Sequence, residues 1–92
     1  MPLEKQIVNS IVRYLRTVPA CVVRKRHGTS FGVAGDPDLY GTLKGRHFES
    51  EVKQEDNQPT ELQLRRGEEW VAGGAIYGVV HSVGEARELL HI

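Results

Sequence analysis

A tight turn at Lys44-Gly45, between two segments of strand-like pattern, restricts the fold of this chain more than any other feature. The first segment covers residues 38–43 and the second covers residues 46–53. If Lys44 and Gly45 are the two central residues of the turn, Asp38 lies directly opposite Glu51. Opposed residues of an antiparallel pair point to the same face, with Cβ atoms about 4.5–5.5 Å apart. The sequence therefore predicts two carboxylates that meet at the open end of a hairpin.

The second arm of this hairpin alternates between two faces, as a β-strand does. One face carries Phe48, Ser50 and Val52, and the other carries Glu49, Glu51 and Lys53. We expect Val52 to point to the core and the Lys53 ammonium to lie beside Asp38 and Glu51. Two carboxylates and one amine are thus predicted to share one spot.

Two elements precede the hairpin. Apolar residues at spacings of three and four predict an amphipathic helix over residues 3–17, between Pro2 and Pro19. The apolar stripe of this helix consists of Leu3, Ile7, Ile11, Tyr14, Leu15 and Val18. The run 20–23 predicts a first strand, and the glycine-rich stretch 28–35 predicts a loop.

Three elements follow the hairpin. Thr60-Glu61-Leu62-Gln63 has the form of a capping box and predicts the start of a helix that ends at Gly73-Gly74. The apolar run 75–80 predicts a buried strand, and residues 83–90 predict a short helix. We expect the first of these helices to bury Leu64, Trp70 and Val71, and the last helix to bury Val83, Ala86 and Leu90.

The predicted fold class is α/β, with a mixed sheet flanked by helices in the order α-β-β-β-α-β-α. The 92 residues allow one domain, over residues 1–92. The single cysteine, Cys21, excludes an internal disulfide framework and a Cys-based zinc site, and we expect it to be a small buried apolar residue. No apolar run reaches the length of a membrane span, and the first twenty residues lack the core of a signal peptide. These features predict a protein of the reducing cytoplasm with no membrane partner.

The charges cancel in total and are segregated along the chain. Twelve Lys and Arg residues balance twelve Asp and Glu residues, which argues against a general basic coat for nucleic acid. Basic clusters occur at 24–27, 44–47 and 65–66, and acidic clusters occur at 49–56 and 68–69. This pattern suits a surface that holds an anion and a metal cation at different points, although scattered solvated charges would give the same composition.

The predicted cluster of Asp38, Glu51 and Lys53 has a definite chemistry. Two facing carboxylates repel one another, and a divalent cation between them makes the pair tolerable. Mg²⁺ prefers oxygen ligands, and the carbonyl of Val52 is a possible third ligand. The ammonium of Lys53 would then orient or deprotonate a water, or offset charge that develops on a phosphate. This combination points to a metal-dependent phosphodiesterase.

The same residues resemble a known nuclease signature. Pro37-Asp38 followed by Glu51-x-Lys53 is similar to the motif of the PD-(D/E)xK nuclease superfamily. Further elements resemble its small VRR-Nuc branch, namely Glu4-Lys5-x-Ile7, Gly35-x-Pro37-Asp38, Gly45-Arg46, Gln63 and the stretch from Gly73-Gly74 to Ser82. The resemblance implies that Asp38 and Glu51 are metal ligands and that Lys53 is the catalytic lysine. It also implies Gln63 as an active-site residue and Glu4 as a further acidic member.

The resemblance implies a function as well. It predicts a Mg²⁺- or Mn²⁺-dependent DNA endonuclease that acts as a homodimer on four-way (Holliday) junctions, in a bacterial cell or a phage-infected host. A nuclease for flaps or other branched DNA is one alternative. A non-catalytic, nuclease-like nucleic-acid-binding module is another, although such a module is expected to have lost Asp38, Glu51 or Lys53.

Each candidate residue also has a purely structural interpretation. Glu51 and Lys53 would be an exposed strand pair, and Asp38 would be a turn residue after Pro37. Gln63 would only close the capping box, and Glu4 would only favour the helix N-terminus through the helix dipole. The predicted phosphate contacts, or else solvated charges, are Arg24, Lys25, Arg26, Lys44, Arg46 and Arg65. The hairpin register favours Asp38 over Asp36 as the metal-facing aspartate.

Overall fold

The computed structural model describes residues 2–27 and 32–92, which form three helices and four strands. The elements are α1 (Glu4–Leu15), β1 (Cys21–Lys25), β2 (Leu39–Leu43), β3 (Arg46–Val52), α2 (Glu61–Ala72), β4 (Ile76–Val80) and α3 (Val83–Leu90). The predicted order is confirmed. The predicted loop at 28–35 falls partly outside the described residues, because residues 28–31 are not among them, and 32–35 form no helix or strand.

The four strands form one mixed sheet in the order β1-β2-β3-β4. The pairs β1/β2 and β2/β3 are antiparallel, and β3/β4 is parallel. Strand β3 has a neighbour on each side, and residues 48–52 of this strand are all buried. Strand β4 lies at an edge of the described sheet, and of its residues only Val80 is fully buried. Of the segment 75–80, predicted as a buried strand, Ala75 and Val80 are buried and residues 76–79 are only half-buried, because an edge strand is covered on fewer sides.

The turn between β2 and β3 has the predicted geometry. Lys44 and Gly45 both have positive φ, at 51° and 83°, as a two-residue hairpin turn of the primed type requires. Tyr40 pairs with Glu49 in the resulting register. Continuing this register by two residues places Asp38 opposite Glu51, as the sequence predicts.

The hydrophobic core lies between one face of the sheet and the helices α1 and α3. Helix α1 buries Ile7, Ile11, Val12 and Leu15, and α3 buries Ala86 and Leu90. Phe48 and Val52 are among the buried residues from the sheet. Cys21 and Val83 are half-buried and pack against this cluster. No helix within the described ranges is both long and apolar enough to cross a membrane.

Helix α2 packs on the other face of the sheet through Gly67 and the half-buried Trp70. Leu64 and Val71 are 44% and 54% exposed, so the predicted burial was wrong for them, whereas Trp70 faces inward and is half-buried, with its ring centre 5.1 Å from that of His47. The only buried residue of α2 is Gly67, which lies against the ring of Tyr77. The sheet face below α2 carries charged and hydroxyl-bearing side chains, and the apolar side of the helix is therefore turned outward.

Substitution of Gly67 by alanine tests this close approach. A Cβ at this position would lie 2.3 Å from the Tyr77 ring, so either the helix or the ring must shift. We expect Gly67→Ala to lower the free energy of unfolding by about 1–3 kcal/mol, as overpacking does, although alanine is the better helix former. The matched control is Gly84→Ala in α3, where the nearest atom would be 3.7 Å away. Urea unfolding should show this control to be neutral or more stable, and equal stability of Gly67→Ala would contradict the packing.

Candidate active site

Three carboxylates from three different elements converge at the open end of the β2–β3 hairpin. Glu4, Asp38 and Glu51 each offer one oxygen, and these oxygens all lie within 4.8 Å of one another. Glu4 is the first residue of α1, Asp38 immediately precedes β2, and Glu51 is the penultimate residue of β3. The predicted meeting of Asp38 and Glu51 is confirmed, and Glu4 joins them as the resemblance implies.

Backbone hydrogen bonds hold Asp38 in this position. The backbone N–H of Val52 donates to Asp38 Oδ2 at 2.9 Å, and the backbone N–H of Arg26 donates to the Asp38 carbonyl at 2.7 Å. Val52 itself is fully buried. Its N–H therefore orients the carboxylate, while a ligand role for its carbonyl stays a prediction.

Glu51 is the most deeply buried of the three acids. It is 1% exposed, and its Oε2 has no hydrogen-bond partner within the described part of the chain. Burial is the largest cause that raises the pKa of Glu51 to about 8, and the neighbouring Asp38 and Glu4 raise it further, against the opposing effect of Lys53. A buried carboxylate without a partner is costly, and a divalent cation would neutralise it. The oxygen-only donor set and this unpaired atom fit a hard cation such as Mg²⁺.

Lys53 completes the group that the hairpin register predicts. Its Nζ lies 3.9 Å from Glu51 Oε1, and its side chain is 13% exposed. The backbone N–H of Lys53 donates to the carbonyl of Val80 at 3.0 Å, which extends the β3–β4 pairing by one residue. The amine is therefore held next to the carboxylates and remains accessible from one side.

Gln63 closes the capping box at the start of α2. Its side-chain Oε1 accepts from the Thr60 N–H at 2.8 Å, and its own N–H donates to Thr60 Oγ1 at 3.1 Å. The predicted box is confirmed. An active-site role for Gln63 stays a prediction, because one of its two polar atoms already serves the cap.

The two aspartates of the Asp36-Pro37-Asp38 segment have different partners. Asp36 Oδ1 accepts from the indole N–H of Trp70 at 3.2 Å, and Asp36 Oδ2 lies 4.0 Å from Arg26 Nε. Asp38 alone of the two joins the carboxylate cluster. Asp38 therefore lies where the hairpin register predicts, and its role as the metal-facing aspartate stays a prediction.

A second buried acid, Glu49, lies on the same face of β3 and was given no role by the sequence pattern. It is completely buried, and Arg26 binds it through Nη1 at 2.7 Å and Nη2 at 3.3 Å. His47 Nε2 lies 2.6 Å from Glu49 Oε2. The sequence places Glu49 on the same face as Glu51 and so could have indicated a polar role for it. Its partner Arg26 was not predictable in this way, because it follows β1 and is distant in sequence.

Tyr77 is a further polar group that the sequence did not indicate. Its hydroxyl is buried and has no hydrogen-bond partner among the described residues. Burial is the main cause that raises the pKa of Tyr77, and the charges of Glu51 and Asp38 add to the effect. Its position in β4, paired with Glu49, places it on the face that carries the acidic cluster.

The predicted phosphate contacts are dispersed over the surface. Lys25 and Arg26 line a groove beside the acidic cluster, together with Glu4, Lys5, Val8, Asn9, His27 and Asp38. Arg24 is exposed, and its guanidinium donates to the neighbouring Val23 carbonyl. Lys44 and Arg46 are exposed at the turn, and Arg46 lies five residues from Glu51 along β3, roughly 16 Å away. Arg65 is exposed on α2 and forms an ion pair with Glu61 at 3.3 Å.

Arg26 differs from the other basic residues. Its guanidinium already binds Glu49 and the Pro37 carbonyl, and 23% of its side chain is exposed. A free phosphate contact therefore suits Lys25 and the exposed Lys5 and His27 better than it suits Arg26.

Comparison with known proteins agrees with this fold. No family model matches the sequence, and no curated protein sequence matches it. A solved structure described as "VRR_NUC domain" is 29% identical, covers 96% of this chain and 94% of its own, and has a TM-score of 0.78. Another, described as "VRR_NUC domain protein", is 17% identical, covers 98% of this chain and 86% of its own, and has a TM-score of 0.80. At that lower identity the second match supports the fold alone.

The fold and the acidic cluster together define a nuclease-like domain. The likeness to both structures extends over nearly the whole chain and supports its assignment as a VRR-Nuc domain. The family resemblance that the sequence motifs predict is thereby confirmed.

Proposed function

We propose that this domain is a Mg²⁺- or Mn²⁺-dependent endodeoxyribonuclease that hydrolyses phosphodiester bonds in four-way junctions as a homodimer. The observation that carries the proposal is the convergence of Glu4, Asp38 and Glu51 within 4.8 Å, with Lys53 at its side. The nuclease-like fold supports the reaction class.

The acidic cluster would hold the cation. Glu4, Asp38 and Glu51 supply carboxylate oxygens, which are the ligands that Mg²⁺ and Mn²⁺ prefer. When bound, the cation would draw electron density from a phosphoryl oxygen and acidify a nearby water. Three acids so close together repel one another without a cation, and this repulsion favours cation binding.

The remaining steps fall to side chains of the chain itself. The Lys53 ammonium, 3.9 Å from Glu51 Oε1, can orient the attacking water or offset negative charge on the phosphate during in-line attack. Lys5, Lys25 and His27 line the adjacent groove, and in this proposal they would contact the DNA backbone. The neighbouring Asn9 accepts from Lys25 Nζ at 3.1 Å and would orient it.

The size of the domain and the symmetry of the substrate support a dimer on a junction. A single DNA-binding module buries roughly 600–1,000 Å² of its surface, which is demanding for a chain of 92 residues. A twofold dimer would present two equivalent sites to a twofold substrate and cut two strands.

Cleavage of labelled DNA with and without Mn²⁺ tests this function. We expect a four-way junction to be cut faster than a 5′ flap or a plain duplex, and chelation of the cation to stop cleavage. Sedimentation should give the mass of two chains. Preferred cleavage of plain duplex would overturn the junction specificity alone. Binding of DNA without cleavage of any substrate would instead favour the non-catalytic module.

A further inference from the structure

We propose that Arg26 is a positioning residue that holds Asp38 in place for the divalent cation, and that buried Glu49 anchors it. The inference rests on the proposed function, because it concerns the same acidic cluster. It assigns to Arg26 a role inside the protein in place of a contact with DNA.

The guanidinium of Arg26 connects the segment that contains Asp38 to the strand that contains Glu51. Arg26 Nη1 donates to the carbonyl of Pro37 at 2.6 Å and to Glu49 Oε1 at 2.7 Å. Pro37 immediately precedes Asp38, and Glu49 lies two residues before Glu51 in β3. The Arg26 side chain therefore adds a cross-link, beyond the strand pairing, between the two segments that carry these carboxylates.

The backbone of Arg26 acts on the same segment. Its N–H donates to the carbonyl of Asp38 at 2.7 Å, which extends the pairing of β1 with β2. With the bond from the Val52 N–H to Asp38 Oδ2, three hydrogen bonds fix residues 37 and 38. Two of these three come from Arg26.

The surroundings of Arg26 require a guanidinium. Its Cζ lies 4.6 Å from the centre of the Tyr40 ring and 5.7 Å from that of Trp70. A planar guanidinium can pair with Glu49 through two nitrogens and stack on these rings, whereas an ammonium group is a compact charge that cannot do both. Glu49 is completely buried, and this makes the pairing obligatory.

Residues that orient metal ligands without binding the metal influence the affinity for the metal. Removal of such a supporting contact typically weakens metal binding 10- to 100-fold, because the ligand loses its orientation. We therefore expect Arg26→Lys to bind Mn²⁺ at least about 10-fold more weakly than wild type in calorimetric titration. Cleavage by this variant should fall at limiting Mn²⁺ and recover as Mn²⁺ is raised, because Lys53 and the carboxylates remain.

The control is Arg13→Lys, since Arg13 is an exposed arginine of α1 outside the acidic cluster. It should bind Mn²⁺ as wild type does. All titrations are made where circular dichroism shows folded protein. If Arg26→Lys does not fold, Glu49→Gln replaces it, because this variant keeps an acceptor for Arg26 but removes the anchoring charge, and weaker Mn²⁺ binding is again expected.

The outcomes distinguish failure of this inference from failure of the proposed function. A folded variant with lower thermal stability but wild-type Mn²⁺ affinity would show that Arg26 serves the fold alone, and would overturn the inference. Absence of Mn²⁺ binding by wild type would overturn the metal-dependent function and the inference together. Binding of Mn²⁺ by wild type without DNA cleavage would contradict the nuclease function, while weaker Mn²⁺ binding by Arg26→Lys would still support the positioning role.

Discussion

Replacement of Glu51 by glutamine is expected to reduce junction cleavage more than about 100-fold and to abolish measurable Mn²⁺ binding. Glu51 is the most buried acid of the cluster, and its Oε2 has no hydrogen-bond partner among the described residues. Loss of a supporting contact already costs 10- to 100-fold in a metal site, and a direct ligand should cost more. Cleavage of labelled junction and calorimetry with Mn²⁺ measure the two effects.

The same substitution should change how stability depends on pH. The pKa of Glu51 is raised to about 8, above the ordinary value of 4.5. A carboxyl group with a raised pKa contributes stability that is complete below the unfolded pKa and is lost as pH rises through the folded pKa. Without metal, wild type should therefore lose stability between about pH 5 and pH 8, and Glu51→Gln should lack this loss. Added Mn²⁺ should stabilise only wild type.

Two further variants make the result specific to the site. Glu55→Gln changes an exposed acid in the loop after β3 and should retain cleavage and Mn²⁺ binding. Lys53→Ala should lose turnover while it keeps Mn²⁺ and junction binding, because it removes an amine and no carboxylate. Full cleavage by Glu51→Gln would contradict the proposed site, and loss of junction binding by Lys53→Ala would make Lys53 chiefly a DNA contact.

Replacement of Glu49 by alanine is expected to have the largest effect on stability. Glu49 is fully buried and pairs with Arg26 and His47. Removal of one member of a buried pair typically costs about 3–5 kcal/mol, and Arg26 would keep only the Pro37 carbonyl and the 4.0 Å contact with Asp36. Urea unfolding at 25 °C should show a decrease of this size in the free energy of unfolding.

A surface ion pair provides the comparison. Glu61 and Arg65 are exposed on α2 and lie 3.3 Å apart. Exposed pairs of this kind contribute about 0–1 kcal/mol, so Glu61→Ala should change stability little. If Glu49→Ala also lowered the free energy of unfolding by less than about 1 kcal/mol, the buried Arg26–Glu49 pair would contribute no more to stability than an exposed pair.

The hairpin was predictable in detail because its constraints are local. A two-residue turn at Lys44-Gly45 determines which residues pair, and the alternation of side chains determines which face they share. The meeting of Asp38 with Glu51 therefore follows from sequence distance alone. The capping box at Thr60 and the bounds of α3 were predictable for the same reason.

The packing of α2 was not predictable from its own pattern. Leu64 and Val71 have the composition of a buried face, yet they are exposed. The orientation of this helix depends on what the sheet offers below it, namely buried Glu49, buried Glu51 and the Tyr77 ring against Gly67. Gly67 and Trp70 face inward because Tyr77, His47 and Asp36 supply their partners, and these residues are distant in sequence.

By itself the sequence determined the order of the elements, the hairpin register and the spot where Asp38, Glu51 and Lys53 meet. Only the tertiary structure decided that Arg26 binds Glu49 and that Asp36 binds Trp70. The reason is physical. Turns and caps depend on neighbours a few residues apart, whereas burial of a charge depends on which distant strand or helix covers it.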